Sequence, residues 1–431
     1  GFLMRRRRTA RRGRGRRALL ALLVIVALAD SATLAGAAVL HARRLERVSG
    51  TNAVTAPELV VERREGPFVA QVDYAALFSA DGHQVSSEVS WDDDWFFQDS
   101  TTYNHDLAHT CAVLSAVANA ESAYYQRGST APAYAEHAFA ELGFEEVSTA
   151  SYRYRSEVLD EVLGILDGTD VVAYTLATKH VRSSQTGEEK LLTVVVVRGS
   201  YGSEWLSNAK IEDATDEGGE GDHLGFTLAA EEIVADLEER ASKEPGVERT
   251  YLFCGHSRGA AVATLLASYV DDGGAIASAE SVRAYGFATP NCTSAADARD
   301  ARYDNIFNVL NPSDVVTMLP PAQWGYQRYG TDVWLPKTDD GALTEGMRAS
   351  YRASMGADCP VAPEDQATAE ALVSDVTAHV SSLDELFSPA GLAALAQACV
   401  GVDAGQLLAS HYPNTYIAWL DATSAEDLTF S

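Results

Sequence analysis

The sequence predicts an α/β protein: a mostly parallel sheet with flanking helices and a helical insertion late in the chain. Three observations carry this. Apolar runs with strand character alternate with helix-like stretches between residues 171 and 310, the pattern of a sheet with helices in its crossovers. The run Lys190–Val197 is apolar for most of its length, as strands buried on both faces are. Another apolar run ends in Gly255-His256-Ser257-Arg258-Gly259 and gives way to small residues at helical spacing. That reads as strand, sharp turn, helix, with a serine hydroxyl presented on the turn.

The composition is that of a globular chain, with 46% hydrophobic and 22% charged residues in 431. Its length suits one large domain with an appendage. The net charge is −28, yet residues 1–47 carry twelve arginines against Asp30 and Glu46. The body is therefore more acidic than the whole, and nucleic acid is excluded as a partner. Nine arginines within residues 1–17 precede the apolar stretch 18–40, and Arg43, Arg44 and Arg47 follow it. This places a basic N-terminus in the cytoplasm and the body outside. Residues 18–40 are long enough for a transmembrane signal anchor. The competing reading is a signal peptide with core Ala18–Ala29 and a cleavage site at Ala35-Gly36-Ala37.

Residues 41–100 read as a stalk and entry segment, broken by Pro57, Gly66-Pro67 and Asp81-Gly82, and 101–431 as the main domain. Trp91-Asp92-Asp93-Asp94-Trp95-Phe96-Phe97 reads as a solvated turn beside core aromatics, since a calcium loop would need a glycine-turned ligand set. Asn104–Gln126 has a single apolar face at helical spacing. Pro132–Leu142 is a second helix stopped by Gly143, and Ser156–Leu166 a third. Val171–Val181 and Lys190–Val197 form a hairpin around the polar turn 183–189. The acidic stretch Glu212–Asp222 precedes a helix over Leu224–Ala241. Strands follow at Val282–Phe287 and Asn305–Leu310, and residues 338–405 are helical and acidic. Of the five cysteines, Cys254 reads as a buried thiol, and a disulfide between Cys359 and Cys399 is an open pairing. No cysteine or histidine spacing indicates zinc, and no cofactor or metal is expected.

In such an architecture the serine is followed in the chain by an acid and then a histidine, each at the carboxyl end of a strand or in the loop after it. Only His379 and His411 follow Ser257. His379 falls in mid-helix. His411 falls in a loop after the short helical stretch Ala404–Ala409 and is the expected base. Asp314 sits one short turn beyond a buried strand, where Asn311-Pro312 turns the chain out of the sheet, and is the expected acid. Ser257 would attack a carbonyl and form an acyl-enzyme, His411 would carry the proton, and Asp314 would orient His411. The oxyanion hole falls to the backbone N–H of Arg258 and to Ser200 after the strand ending at Val197. Gly255 and Gly259 let helix and strand approach closely.

Taken together, Arg198-Gly199-Ser200, Gly255–Gly259, Phe287-Ala288-Thr289-Pro290, Asn311-Pro312-Ser313-Asp314-Val315-Val316 with Leu319-Pro320-Pro321, and His411-Tyr412 resemble the class 3 (fungal-type) lipases. Residues 198–205 and Trp324-Gly325-Tyr326-Gln327-Arg328-Tyr329 look like a bacterial lipase-like branch. The resemblance implies an α/β-hydrolase fold and hydrolysis of carboxylic esters, usually acylglycerols, with a lid at about residues 203–224. The acidic, glycine-rich Glu212–Asp222 differs from an apolar, lipid-facing lid, so shorter or soluble esters are candidates too. The Asp314–His411 interval is long and holds an extra helical segment. A silent binding module on the same fold and an acyltransferase or thioesterase using the same three residues are the competing classes.

Overall fold

The structure, a computed structural model, describes residues 61–76, 83–127, 134–149, 173–199, 224–273, 276–386 and 388–431. Several expectations lie outside these residues: the basic N-terminus, the apolar stretch 18–40, the helix Ser156–Leu166, Ser200 and the acidic stretch Glu212–Asp222. Among the described residues no helix is long and apolar enough to cross a membrane.

The main sheet has eight strands: β3 (Glu146–Ser148), β4 (Tyr174–Arg182), β5 (Glu189–Val197), β6 (Arg249–His256), β7 (Val282–Phe287), β8 (Ile306–Leu310), β9 (Thr331–Trp334) and β10 (Thr429–Phe430). They lie side by side in chain order. The pairs from β5 to β9 are parallel, while β3–β4, β4–β5 and β9–β10 are antiparallel. The expected hairpin is thus the β4–β5 pair, with its turn at Ser183 accepting the Gly187 N–H.

Both faces of the parallel strands are covered, and alternate residues show it. Leu192, Val194 and Val196 of β5, Leu252 and Cys254 of β6, and Tyr285 and Phe287 of β7 enter one core. Val195 and Val197, Tyr251 and Phe253, and Val282 and Ala284 enter the other. The first core is closed by α1 (His105–Arg127), α2 (Tyr134–Glu141) and α10 (Pro413–Ala422). The second is closed by α3 (Leu224–Lys243) and α4 (Arg258–Gly273). A period of two with both phases apolar leaves no solvent face. The insertion after β9 folds as α5 (Ala342–Met355), α6 (Asp365–Thr377), α7 (Leu383–Leu386), α8 (Pro389–Ala398) and α9 (Ala404–Leu408). Its α6, α8 and α9 share a third apolar cluster with Val315 and Val316, the two residues after Asp314.

Residues 41–100 depart from a stalk in their described part. Strands β1 (Phe68–Ala75) and β2 (Gln84–Trp91) pair in antiparallel register as a second sheet. Their Val72, Tyr74, Val85, Val89 and Trp91 lie within the first core, so the hairpin is part of the body. The acidic turn after Trp91 departs as well. It is a 3-10 turn (Asp93–Phe97) with Asp93 buried instead of solvated. Asp93 lies 3.2 Å from the ammonium of Lys179. That ammonium also donates to the carbonyls of Arg64 (2.8 Å) and Leu142 (3.1 Å) and sits near the rings of Phe68, Trp91 and Phe144. All five cysteines are free and buried, Cys359 and Cys399 included.

Candidate active site

Ser257 stands between the last residue of β6 and the first of α4, with φ of 60°. Such a φ is uncommon for a residue with a Cβ and marks a strained turn. The turn is held from below, where Ser257 N donates to Phe287 O at 2.8 Å and Ser257 O accepts from Ala260 N at 3.0 Å. The glycines explain why the chain can turn so sharply. A Cβ on Gly255 would lie 2.4 Å from the carbonyl carbon and oxygen of Gly259, and one on Gly259 would lie 2.2 Å from Val197 O. Strand and helix pass at a distance that only glycine permits.

The structure brings Ser257, His411 and Asp314 together. His411 Nε2 is 3.0 Å from Ser257 Oγ, and His411 Nδ1 is 2.9 and 3.1 Å from the two oxygens of Asp314. Asp314 can only accept, so Nδ1 carries the proton and Nε2 presents its lone pair to the serine hydroxyl. His411 closes a 3-10 turn (Ala409–His411) ahead of α10. Asp314 is the N-cap of the 3-10 turn Val315–Met318, and its Oδ1 accepts the Val316 N–H at 3.0 Å. His379 is elsewhere, on an exposed turn after α6, with its Nδ1 3.0 Å from Asp375 O.

Both His411 and Asp314 have no solvent-exposed side-chain surface. Burial alone would raise Asp314, but His411, the Tyr416 hydroxyl and the Val316 N–H together hold it below the usual carboxylate range. Tyr416 donates to Asp314 Oδ2 at 2.7 Å and accepts the Asn311 N–H at 3.0 Å. The same burial, with the adjoining carboxylate, pushes its phenol far up, so it stays a donor. Arg328 steadies the loops around the acid. Its guanidinium pairs with Asp332 through Nε and Nη2, both at 3.0 Å, and reaches Thr317 O at 2.6 Å and Thr289 O at 3.3 Å.

Of the two expected oxyanion donors, Arg258 opens α4 directly after Ser257. Ser200 lies outside the described residues, but the approach to it is described. Gly199 N donates to Asn119 Oδ1 at 2.7 Å, and a Cβ on Gly199 would come within 3.1 Å of His256 O. The end of β5 therefore runs beside the elbow. Among the described residues no group of three or more His, Cys, Asp or Glu is placed to hold a metal ion.

Sequence reasoning passed over three polar side chains around the histidine: His256, Asn311 and Tyr416. His256 and Asn311 stand inside motif stretches and Tyr416 four residues past His411-Tyr412, but nothing local distinguishes a hydrogen bond to a segment a hundred residues away.

A mostly parallel sheet, covered by helices on both faces and carrying a serine on a sharp strand-to-helix turn, defines an α/β-hydrolase fold. Residues 175–324 match the family described as Lipase (class 3), so the resemblance in the motifs holds over the segment bearing Ser257 and Asp314. Similar curated proteins are the secreted mono- and diacylglycerol lipase A of Penicillium cyclopium, 28% identical over 184 residues (41% of this chain, 55% of that protein), and the secreted mono- and diacylglycerol lipase 1 of Fusarium solani, 30% identical over 162 residues (36% and 47%). The chain spans about half the length of these curated relatives. Among solved structures, the Rhizomucor miehei triacylglyceride lipase matches over 53% of this chain and 79% of its own, at 18% identity and a TM-score of 0.37.

Proposed function

We propose that the protein is a serine carboxylic ester hydrolase of lipase type, acting on acylglycerols or related acyl esters outside the cytoplasm. The observation that supports it most is the buried hydrogen-bonded line from Ser257 through His411 to Asp314. In this reading Ser257 Oγ attacks the ester carbonyl while His411 Nε2 takes its proton, and Asp314 stabilises the resulting imidazolium. The tetrahedral oxyanion points at the Arg258 N–H and at Ser200, each donor worth about 3 kcal/mol in the transition state. Collapse expels the alcohol, protonated by His411, and water repeats the sequence on the acyl-enzyme.

The relatives' names point to mono- and diacylglycerols as first substrates and to secretion as the destination. Residues 18–40 then serve as the export segment, retained as an anchor or removed. Residues 203–224 are the proposed lid, and the acidic character of Glu212–Asp222 favours including short soluble esters.

The test is a panel of chromogenic esters of rising chain length together with mono- and diacylglycerols, on wild type and Ser257→Ala. Hydrolysis by wild type should fall by about 10,000-fold or more in the variant. Equal rates for the two on every substrate, zero included, would remove Ser257 from its role.

A further inference from the structure

The turn that bears the histidine is remote in sequence from what it must meet. His411 follows Asp314 by 97 residues and Ser257 by 154, with the helical insertion lying between. A connection of that length constrains the two ends only weakly. Something other than the chain must set where the imidazole stands.

The turn Ala409–His411 offers three successive carbonyls, and a side chain takes each. Thr415 Oγ1 donates to Ala409 O at 2.9 Å, Asn311 Nδ2 to Ser410 O at 3.1 Å, and His256 Nε2 to His411 O at 2.7 Å. Thr415 is a close neighbour in the chain. The other two are not. His256 is the last residue of β6, beside Ser257, and Asn311 follows β8 directly, three residues before Asp314. The strands that present the nucleophile and the acid therefore also grip the backbone of the base.

The donor assignments follow from the acceptors. A carbonyl only accepts, so His256 carries its proton on Nε2. Its ring is buried, with its centroid 4.8 Å from that of His411. Burial first, and then the His411 imidazole, lower its pKa to about 3, so it remains a neutral donor at ordinary pH. Asn311 Oδ1 accepts from Ser313 N at 3.1 Å, which turns the amide so that Nδ2 faces Ser410.

We infer that His256 and Asn311 are positioning residues, which place the His411 imidazole between Ser257 and Asp314 by holding two adjacent backbone carbonyls. The inference rests on the reading of Ser257 as a hydrolytic nucleophile. It gives the residue before the serine a task that the elbow alone does not require.

Two variants of His256 separate donor from ring. His256→Phe keeps a ring and loses the donor, and His256→Gln keeps a donor at similar reach and loses the ring. The measurements are kcat and KM on a soluble ester, the melting temperature, and the low-field proton resonance of His411 Nδ1–H, assigned by its loss in His411→Gln. His256→Phe should lower kcat about 100-fold, the size of a misplacement of about 1 Å, with KM within about twofold and the resonance broadened away. His256→Gln should recover the resonance and most of kcat. Wild-type resonance and wild-type kcat in His256→Phe would overturn the inference, as would a His256→Gln as impaired as His256→Phe. Should His256→Phe not fold, Asn311→Leu carries the same readouts with the same expectations. If wild type hydrolyses no ester but the resonance responds as described, the hydrolase reading fails and the positioning role stands.

Discussion

Tyr416 gives its phenolic proton to the oxygen of Asp314 that also receives His411 Nδ1, at 2.7 and 2.9 Å. Burial raises Asp314, and its donors more than reverse that. A carboxylate held below its unfolded pKa contributes stability that is present above the unfolded value and lost as pH falls through the folded one. Tyr416→Phe removes one donor, so Asp314 titrates higher. We expect a loss of about 2 kcal/mol at pH 7, the worth of a hydrogen bond to a charged group. The gap from wild type should narrow below pH 4 in urea titrations. A gap that widens toward acid would sink this account.

The elbow gives a steric prediction. Gly255→Ala drives a methyl to 2.4 Å from the Gly259 backbone, where neither strand nor helix has a flexible end to yield. A loss of about 3 kcal/mol or failure to fold is expected. Gly273→Ala, at the far end of the same helix and in open space, should be neutral in the same denaturant assay. Similar costs at both sites would count against the close approach as the cause.

Buried His256 and half-buried Asp271 bias stability in opposite directions with pH. The folded pKa of His256 is depressed from 6.5 to about 3, by burial and then by His411. The stability it permits is present above pH 6.5 and lost on acidification, at up to about 1.4 kcal/mol per pH unit. His256→Gln lacks this proton and should gain on wild type as pH falls from 7 to 5. Asp271 is raised to about 7 by burial, with Asp272 adding to it and Asn305 opposing. Its contribution is full below its unfolded pKa of 3.8 and lost as pH rises through 7. Asp271→Asn should therefore hold its stability between pH 4 and 7 better than wild type does. Parallel pH curves for variant and wild type would refute either assignment.

The Lys179–Asp93 pair is enclosed, with side-chain exposures of 2% and 1%. Burial disfavours both charges, lowering Lys179 and raising Asp93, and each only partly restores the other. Such a pair costs little to replace whole and much to break. Lys179→Met should cost about 3–5 kcal/mol, and adding Asp93→Leu should recover part of it. A double variant weaker than the single one would contradict this.

What the sequence disclosed is what short-range pattern encodes. The elbow, the strand ends before Ser200 and Asp314, and the helix borders near residues 105 and 224 follow from apolar period, glycine spacing and turn residues. Asp314 was legible because a strand must stop before it, and His411 because it follows a short helical stretch; His379 was expected in mid-helix but stands on an exposed turn just past the end of α6. The first hairpin was not legible. Its strands pair only with each other, and its alternation reads equally well as an exposed entry segment until Trp91 and Val72 are seen against α1. The acid run at residues 92–94 looked solvated because nothing adjacent announces Lys179, which lies 86 residues on from Asp93, on β4 of the main sheet. His256, Asn311 and Tyr416 were silent for the same reason: a buried polar contact belongs to two segments and is written in neither.

The embrace of Lys179 by the first hairpin sets a lower limit on what can be expressed as a working fragment. A version begun at residue 101 would strip this ammonium of the Asp93 carboxylate, the Arg64 carbonyl and two of its aromatic neighbours, and would open the sheet face that Val72 and Trp91 cover. The minimal self-sufficient unit should therefore start ahead of Arg64. A truncation series scored by soluble yield and melting temperature should show an abrupt step between starts at 61 and 101.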